Sequence, residues 1–379
     1  MKEYEESNFM DGSLMKLDSR IKKVFSSIQQ DVDAILITNA TEPYIDVNFF
    51  YVSGLHKGLF EHCSALIHPD GSGQILVSML EQESAMNSDL RVTVYQNNEE
   101  YSSFLADFLS SKETIGLNNQ GILHQDYLKL SKQFPQKSFV DISNALIETR
   151  IKKDSTEIQS IRKACDIAER TMKKIPDMIS NKMTENELAA QINYYMQRYG
   201  ADAPAFETIA SFADHTAQPH YTHGNRSLQK GDFILCDFGA RYQHYNSDIT
   251  RTFVYDTSST MQKNIHDTVL RAQQKAIEQI KPGMIAAEIH QMTKEYIDKS
   301  QFTGRFIHST GHSLGLNVHD GGIGLQEHAQ NQLQRDMVLT VEPGIYVPGL
   351  GGVRIEDDLL ITENGCLLLT NPPRELIEI

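Results

Sequence analysis

The sequence predicts two domains, an α/β unit over residues 1–150 and an α+β unit over residues 151–379. Three observations carry this expectation. A length of 379 residues suits two domains. The first 150 residues alternate short apolar runs with helical patterns, as in a sheet covered by helices. After Gly200 the texture changes to β hairpins and glycine-rich loops, which predicts a mainly antiparallel sheet.

In order along the chain, Leu14–Gln29 predicts a helix and Val32–Ile37 a strand. Ser64–Ile67 and Gln74–Ser78 predict two strands joined through the turn residues Pro69-Asp70-Gly71-Ser72-Gly73. Val92–Tyr95, Ile115–Leu117 and Ser138–Ile142 complete the predicted strands, and Tyr101–Ser110 and Gln125–Gln133 are helical. The charged stretch Glu148–Lys153 marks the domain boundary. Asp154-Ser155-Thr156-Glu157 has the form of a capping box opening a long amphipathic helix. A second box, Thr184–Glu187, opens a helix that stops at Gly200, and a further helix pair is expected between Met261 and Ser300. No phosphate-binding glycine loop, internal repeat or low-complexity tract is evident.

Composition narrows the function. With 40% hydrophobic and 22% charged residues the chain is ordinary for a globular protein. A net charge of -15 argues against nucleic acid as a partner. Cys63, Cys165, Cys236 and Cys366 form no CxxC pair and are expected to be reduced, buried thiols. The N-terminus is acidic and lacks an apolar h-region, and no run approaches the length of a membrane span. A cytoplasmic enzyme with no membrane partner is therefore expected.

The residues that could carry chemistry are Asp237, Asp248, His312, Glu342 and Glu356. Each sits in or beside a short apolar run with glycines close by. Asp237 ends the apolar Phe233–Cys236, where a bare buried charge is expensive; it could instead cap a turn with Gly239. Asp248 precedes Ile249–Val254 and could instead pair with Arg251. The strand–turn–strand spacing lets the two aspartates face each other across a hairpin. Ten of the fourteen histidines lie between His215 and His328. His308, His312 and His319 fall within twelve residues, in a glycine-flanked loop or strand that could also be merely polar. His244, His266, His290 and His328 are assigned to loop or surface positions. Glu342 and Glu356 extend the carboxylate set, although either could form an ion pair with Arg354. Four carboxylates and one imidazole can hold two hard divalent cations able to activate water. So oxygen-rich a set favours Mn²⁺, then Co²⁺ or Fe²⁺, over a thiolate-type zinc site, with Zn²⁺ still within its range.

These segments have a family likeness. Asp237-Phe238-Gly239-Ala240, Ser247–Phe253, Gly311–Asp320, Glu342–Tyr346 and Arg354–Asp357 resemble the pita-bread metallopeptidases, and within them the Xaa-Pro peptidases, prolidase and aminopeptidase P. Asn48-Phe49-Phe50-Tyr51-Val52-Ser53-Gly54 resembles a segment of their creatinase-like N-terminal domain. The resemblance implies a curved sheet in the C-terminal domain and a homodimer. It implies two metal ions held by Asp237, Asp248, His312, Glu342 and Glu356 around a shared water, with Glu342 also handling protons. It assigns His220, in preference to the neighbouring His223, together with His308 and His319 to the substrate, and Arg354 to bracing the carboxylates. It implies short proline-containing peptides as substrates, with a dipeptidase slightly favoured over aminopeptidase P. Methionine aminopeptidase shares the ligands but lacks the N-terminal domain. Creatinase shares the fold without metals, and a silent binding module would have lost ligands that are all present here.

Overall fold

The computed structural model describes residues 17–379. The chain divides into two compact units, one ending at Arg150 and one spanning Ile151–Ile379. The first runs α1 (Leu17–Ser27), β1 (Ala34–Thr38), α2 (Val47–Ser53), β2 (Ser64–Ile67), β3 (Gly73–Ser78), α3 (Gln82–Ala85), β4 (Arg91–Tyr95), α4 (Asn98–Leu109), β5 (Thr114–Leu117), α5 (His124–Gln133), β6 (Ser138–Asp141) and α6 (Ser143–Ile151). Its six strands form one mixed sheet in the order β4-β3-β2-β1-β5-β6. Strands β1, β2 and β3 pair antiparallel, and the outer pairings are parallel. Leu36, Leu66, Leu76, Ile115 and Leu117 bury against Leu105 and Leu109 of α4 and Leu130 of α5.

The predicted strands and turn of this unit are present, with ends shifted by one or two residues. Residues 14–16 of the predicted first helix lie outside the described residues. The Asn48–Gly54 motif has a local explanation. Asp46 caps α2, its Oδ1 accepting from the Asn48 backbone and side chain, and its Oδ2 from Asn118 Nδ2. Gly54 closes the helix at φ +68, where a side chain would be strained. Helix α6 runs into the expected polar boundary and ends at Ile151, and Thr149, Arg150 and Lys153 of that stretch are buried. Their apolar stems and hydrogen bonds, rather than their charge, decide the local structure.

The second unit runs α7 (Ser155–Met178), α8 (Glu185–Arg198), β7 (Ala203–Pro204), β8 (Ile209–Phe212), β9 (Phe233–Phe238), β10 (Ala240–Tyr242), β11 (Tyr245–Asn246), β12 (Ile249–Val254), α9 (Thr260–Gln279), α10 (Ala286–Asp298), β13 (Gly311–His312), β14 (Gly324–Leu325), β15 (Val338–Val341), β16 (Gly344–Val347), β17 (Gly351–Arg354), β18 (Asp357–Ile361) and β19 (Cys366–Leu368). Every pairing between these strands is antiparallel. Both predicted capping boxes form, and a third, Ser259 with Gln262, opens α9. Helices α7 and α8 pack on β8, β9 and β12 through Ile167, Met172, Leu188, Ile192, Ile234 and Phe253. Helices α9 and α10 cover β15 and β18 through Ala276, Ile289, Leu339 and Leu359. Two helix-backed sheets thus share one domain.

Two assignments change. His266 and His290 are 1% and 6% exposed, on α9 and α10, not at the surface. Cys366 is only partly buried, while the other three thiols are buried, and all four are free. Among the described residues no helix is long and apolar enough to cross a membrane.

Candidate active site

Strand pairing brings the five candidate residues of the second unit together. Asp237, near the end of β9, lies opposite Thr250 of β12, and Asp248 immediately precedes β12. The turn between them closes tightly: a Cβ on Gly239 would lie 1.8 Å from the Ser247 carbonyl oxygen, so no larger residue fits. Thr250 then links this sheet to the next. Its hydroxyl donates to Glu356 Oε2 at 2.5 Å, and its carbonyl accepts from the Glu356 N–H at 3.1 Å. Glu356 lies between β17 and β18, and Val341, next to Glu342, pairs with Asp357. Thr340 ties β13 to Glu342. Its hydroxyl accepts from the His312 N–H at 3.0 Å and donates to Glu342 Oε1 at 3.4 Å.

The bland alternatives for the aspartates are not formed. Arg251 pairs with Asp357 at 2.8 Å, not with Asp248. Arg354 reaches across to Asp237 Oδ2, while its Nε donates to Thr250 and its NH1 to the Tyr346 hydroxyl at 2.8 Å.

Burial dominates the electrostatics. It pushes the Asp248 carboxyl well above the usual carboxylate range, and Glu356, Asp237, Asp358 and Glu342 add to the effect. Glu356 is raised well above its usual value by burial, then by Glu342 and Asp237. Burial raises Glu342 to about 7 against the pull of Arg354. The imidazoles move the other way, His312 to about 4 and His308 to about 3, again chiefly through burial. Both are therefore neutral at pH 7.

Neutrality fixes which atoms face the cluster. His312 Nδ1 lies 3.2 Å from the Ser313 carbonyl and so carries the proton. Its Nε2 lone pair points at Asp248 Oδ2, 3.6 Å away, and Glu342 Oε1, 3.5 Å away. Acceptor atoms of Asp248, His312 and Glu356 all fall within 4.8 Å of one another. The Oδ1 atoms of Asp237 and Asp248 are buried with no hydrogen-bond partner. Carboxyls and an imidazole lone pair that converge in a buried cluster, with the carboxyls held above their usual range, suit a cation that takes the place of their protons. The residues present fit hard divalent ions, with the histidine oriented by its own backbone contact as metal-bound imidazoles are.

The remaining histidines border this cluster. His220 and His308, with Gln218, Pro219, Tyr221, Thr222 and Ile307, line an open groove of about 560 Å³. The His319 ring meets that of His312 edge-on at 4.1 Å. His308 has both nitrogens engaged: Nδ1 donates to the Ser309 carbonyl at 2.7 Å, and Nε2 accepts from the Tyr346 hydroxyl at 2.8 Å. His223 is held away from the groove by Asn186, at 2.7 Å. Sequence reasoning missed Tyr346, Thr250, Thr340 and Asp358, whose Oδ2 accepts the Asp248 N–H at 2.9 Å. For Tyr346 and Thr250 the only signal was their place within the recognised segments; Thr340 and Asp358 lie just outside them and had none.

The profile of metallopeptidase family M24 matches residues 159–363, and that of the creatinase/prolidase N-terminal domain matches residues 20–152. The chain belongs to metallopeptidase family M24. Within the family it is 35% identical over 373 residues to a Xaa-Pro dipeptidase of Pyrococcus furiosus, covering 95% of this chain and 100% of that protein. The crystal structure of the prolidase from Pyrococcus horikoshii superposes with a TM-score of 0.85 at 35% identity, covering 94% of this chain and 99% of that one. An X-Pro aminopeptidase from Thermotoga maritima superposes with a TM-score of 0.86 at 30% identity, covering 92% and 98%.

Proposed function

We propose that this M24 metallopeptidase hydrolyses the Xaa-Pro bond of short peptides, with dipeptides as preferred substrates. The observation that carries it is the convergence of the His312 Nε2 lone pair on Asp248 and Glu342, beside the orphaned oxygens of Asp237 and Asp248. The relatives named Xaa-Pro dipeptidase and prolidase supply the substrate class.

In this reading Asp237, Asp248, His312, Glu342 and Glu356 hold two divalent ions, Mn²⁺ by preference. When bound, such ions supply Lewis acidity toward a scissile carbonyl and toward water. The chain's own groups do the rest. Glu342, partly exposed and anchored by Thr340, takes a proton from the attacking water and returns it to the proline nitrogen. His220 and His319 orient the substrate over the cluster. His308, which lines the groove with both nitrogens engaged, sets its shape rather than donating to the peptide. Arg354 holds Asp237 through one oxygen and leaves the other for the ions. An Xaa-Pro bond suits a site of this kind because it offers no backbone N–H to grip.

A homodimer in the cytoplasm is the form we propose. The exposed Tyr44, Leu59, Met79, Leu80 and Met86 of the N-terminal unit offer apolar surface that such a pairing would cover. Comparing Mn²⁺-supplemented hydrolysis of Ala-Pro with that of Ala-Pro-Ala tests the substrate. Faster turnover of Ala-Pro is expected. Preference for Ala-Pro-Ala would move the assignment to aminopeptidase P, a reading that the open groove also supports, and activity on neither would refute both.

A further inference from the structure

We propose that Glu185 is a positioning residue that fixes the groove segment bearing His220 and Tyr221. It is the first residue of α8 and its side chain is fully buried. A buried carboxylate is costly unless its oxygens are satisfied. Glu185 is satisfied by the last residue of β8 and the segment that follows it. Its Oε1 accepts from the Phe212 N–H at 2.8 Å and meets His215 Nδ1 at 2.8 Å. Its Oε2 accepts from the Tyr221 hydroxyl at 3.1 Å. The His215 and Tyr221 rings also pack on each other, with centroids 4.3 Å apart.

The backbone at the start of α8 closes the other end of the same segment. Glu185 N–H donates to the Arg226 carbonyl and Asn186 N–H to the Gly224 carbonyl. One helix terminus thus grips residues 212, 215, 221, 224 and 226. His220 stands exposed between these tethers, and Gln218–Thr222 form one wall of the groove. Glu185 is not itself part of the groove lining; it acts through Tyr221 and the loop that carries it.

This inference rests on the proposed peptidase reading, and its test separates the two. Full-length protein loaded with Mn²⁺ is assayed on Ala-Pro as wild type, Glu185→Ala, Glu185→Gln and His215→Ala. Mn²⁺ affinity is measured by calorimetry, and hydrogen exchange is followed across residues 212–227. Glu185→Ala should raise KM about tenfold, because a loop shift of about 1 Å is enough to misplace a substrate. Mn²⁺ affinity should stay within about twofold, since the proposed metal ligands lie outside residues 212–227. Exchange across 212–227 should rise. Glu185→Gln keeps the shape and an acceptor oxygen and should restore most of KM. His215→Ala should show a smaller rise of the same kind and serves if Glu185→Ala does not fold. An unchanged KM, or exchange no faster than in wild type, overturns the proposal. An inactive wild type refutes the peptidase reading, and the exchange result still decides whether Glu185 holds the loop.

Discussion

His312 shows how much one hydrogen bond decides. The Ser313 carbonyl holds the Nδ1 proton, so Nε2 is left as a lone pair among carboxylates. Asp248→Ala should lower Xaa-Pro turnover by roughly a thousandfold or more, because the proposed metal site loses one of its ligands, while far-UV circular dichroism stays native. Wild-type activity in that variant would refute the assigned cluster. Tyr346 relays between Arg354 and His308, and its buried hydroxyl is raised to about 12, chiefly by burial. Tyr346→Phe should cost about 1–2 kcal/mol of stability by stranding two buried partners. Urea unfolding of the variant checks this, and an unchanged midpoint would show the relay is not formed. The five candidate ligands were legible in the sequence because a carboxylate in an apolar strand is anomalous at once. Tyr346, Thr250 and Glu185 were not. A tyrosine, a threonine and a helix-start glutamate are ordinary in their local contexts. The pairs Glu185–Tyr221, Tyr346–His308 and Thr250–Glu356 lie 36, 38 and 106 residues apart in the chain, and no local pattern reports such contacts.

At the scale of elements, strands with alternating or continuous apolar runs and helices with capping boxes were readable, because their signals are local. Helices α2 and α6 were not. Helix α2 is almost wholly buried and shows no amphipathic period, and α6 carries a charged surface into a buried setting. The histidines of α9 and α10 were misplaced for a related reason. A helix can bury His266 without a hydrogen-bond partner for Nδ1, and sequence shows no sign of it. Burial lowers His266 to about 4, with Asp267 and Glu375 opposing and Arg251 assisting. Its folded value lies below the unfolded one near 6.5, so the unfolded chain takes up the proton first as pH falls. The neutral imidazole's contribution is complete above pH 6.5 and is lost toward pH 4, amounting to about 3 kcal/mol. His266→Leu should remove that part of the acid sensitivity. Thermal melts of both proteins at pH 7 and pH 4.5 check this, and parallel losses would contradict it.

For the whole molecule, the proposed metal site links folding to metal binding. The described chain concentrates carboxylates that repel one another where the two helix-backed sheets of the second unit meet. A ligand that binds only the folded state stabilises it, by about 2.7 kcal/mol at a hundredfold excess over Kd. Mn²⁺ should therefore raise the melting temperature, and lowering the pH from 7.5 to 5.5 should weaken its binding, because Asp248 and Glu356 must shed protons to receive it. Sedimentation of the intact protein should show a dimer, and a monomer at micromolar concentration would remove that part of the proposal. The most direct test is calorimetric titration of metal-free protein with Mn²⁺, with Ala-Pro hydrolysis followed at each addition. The site described here predicts saturation at two ions per chain, with activity rising as they bind. The absence of stoichiometric binding, or full binding without hydrolysis, would contradict it.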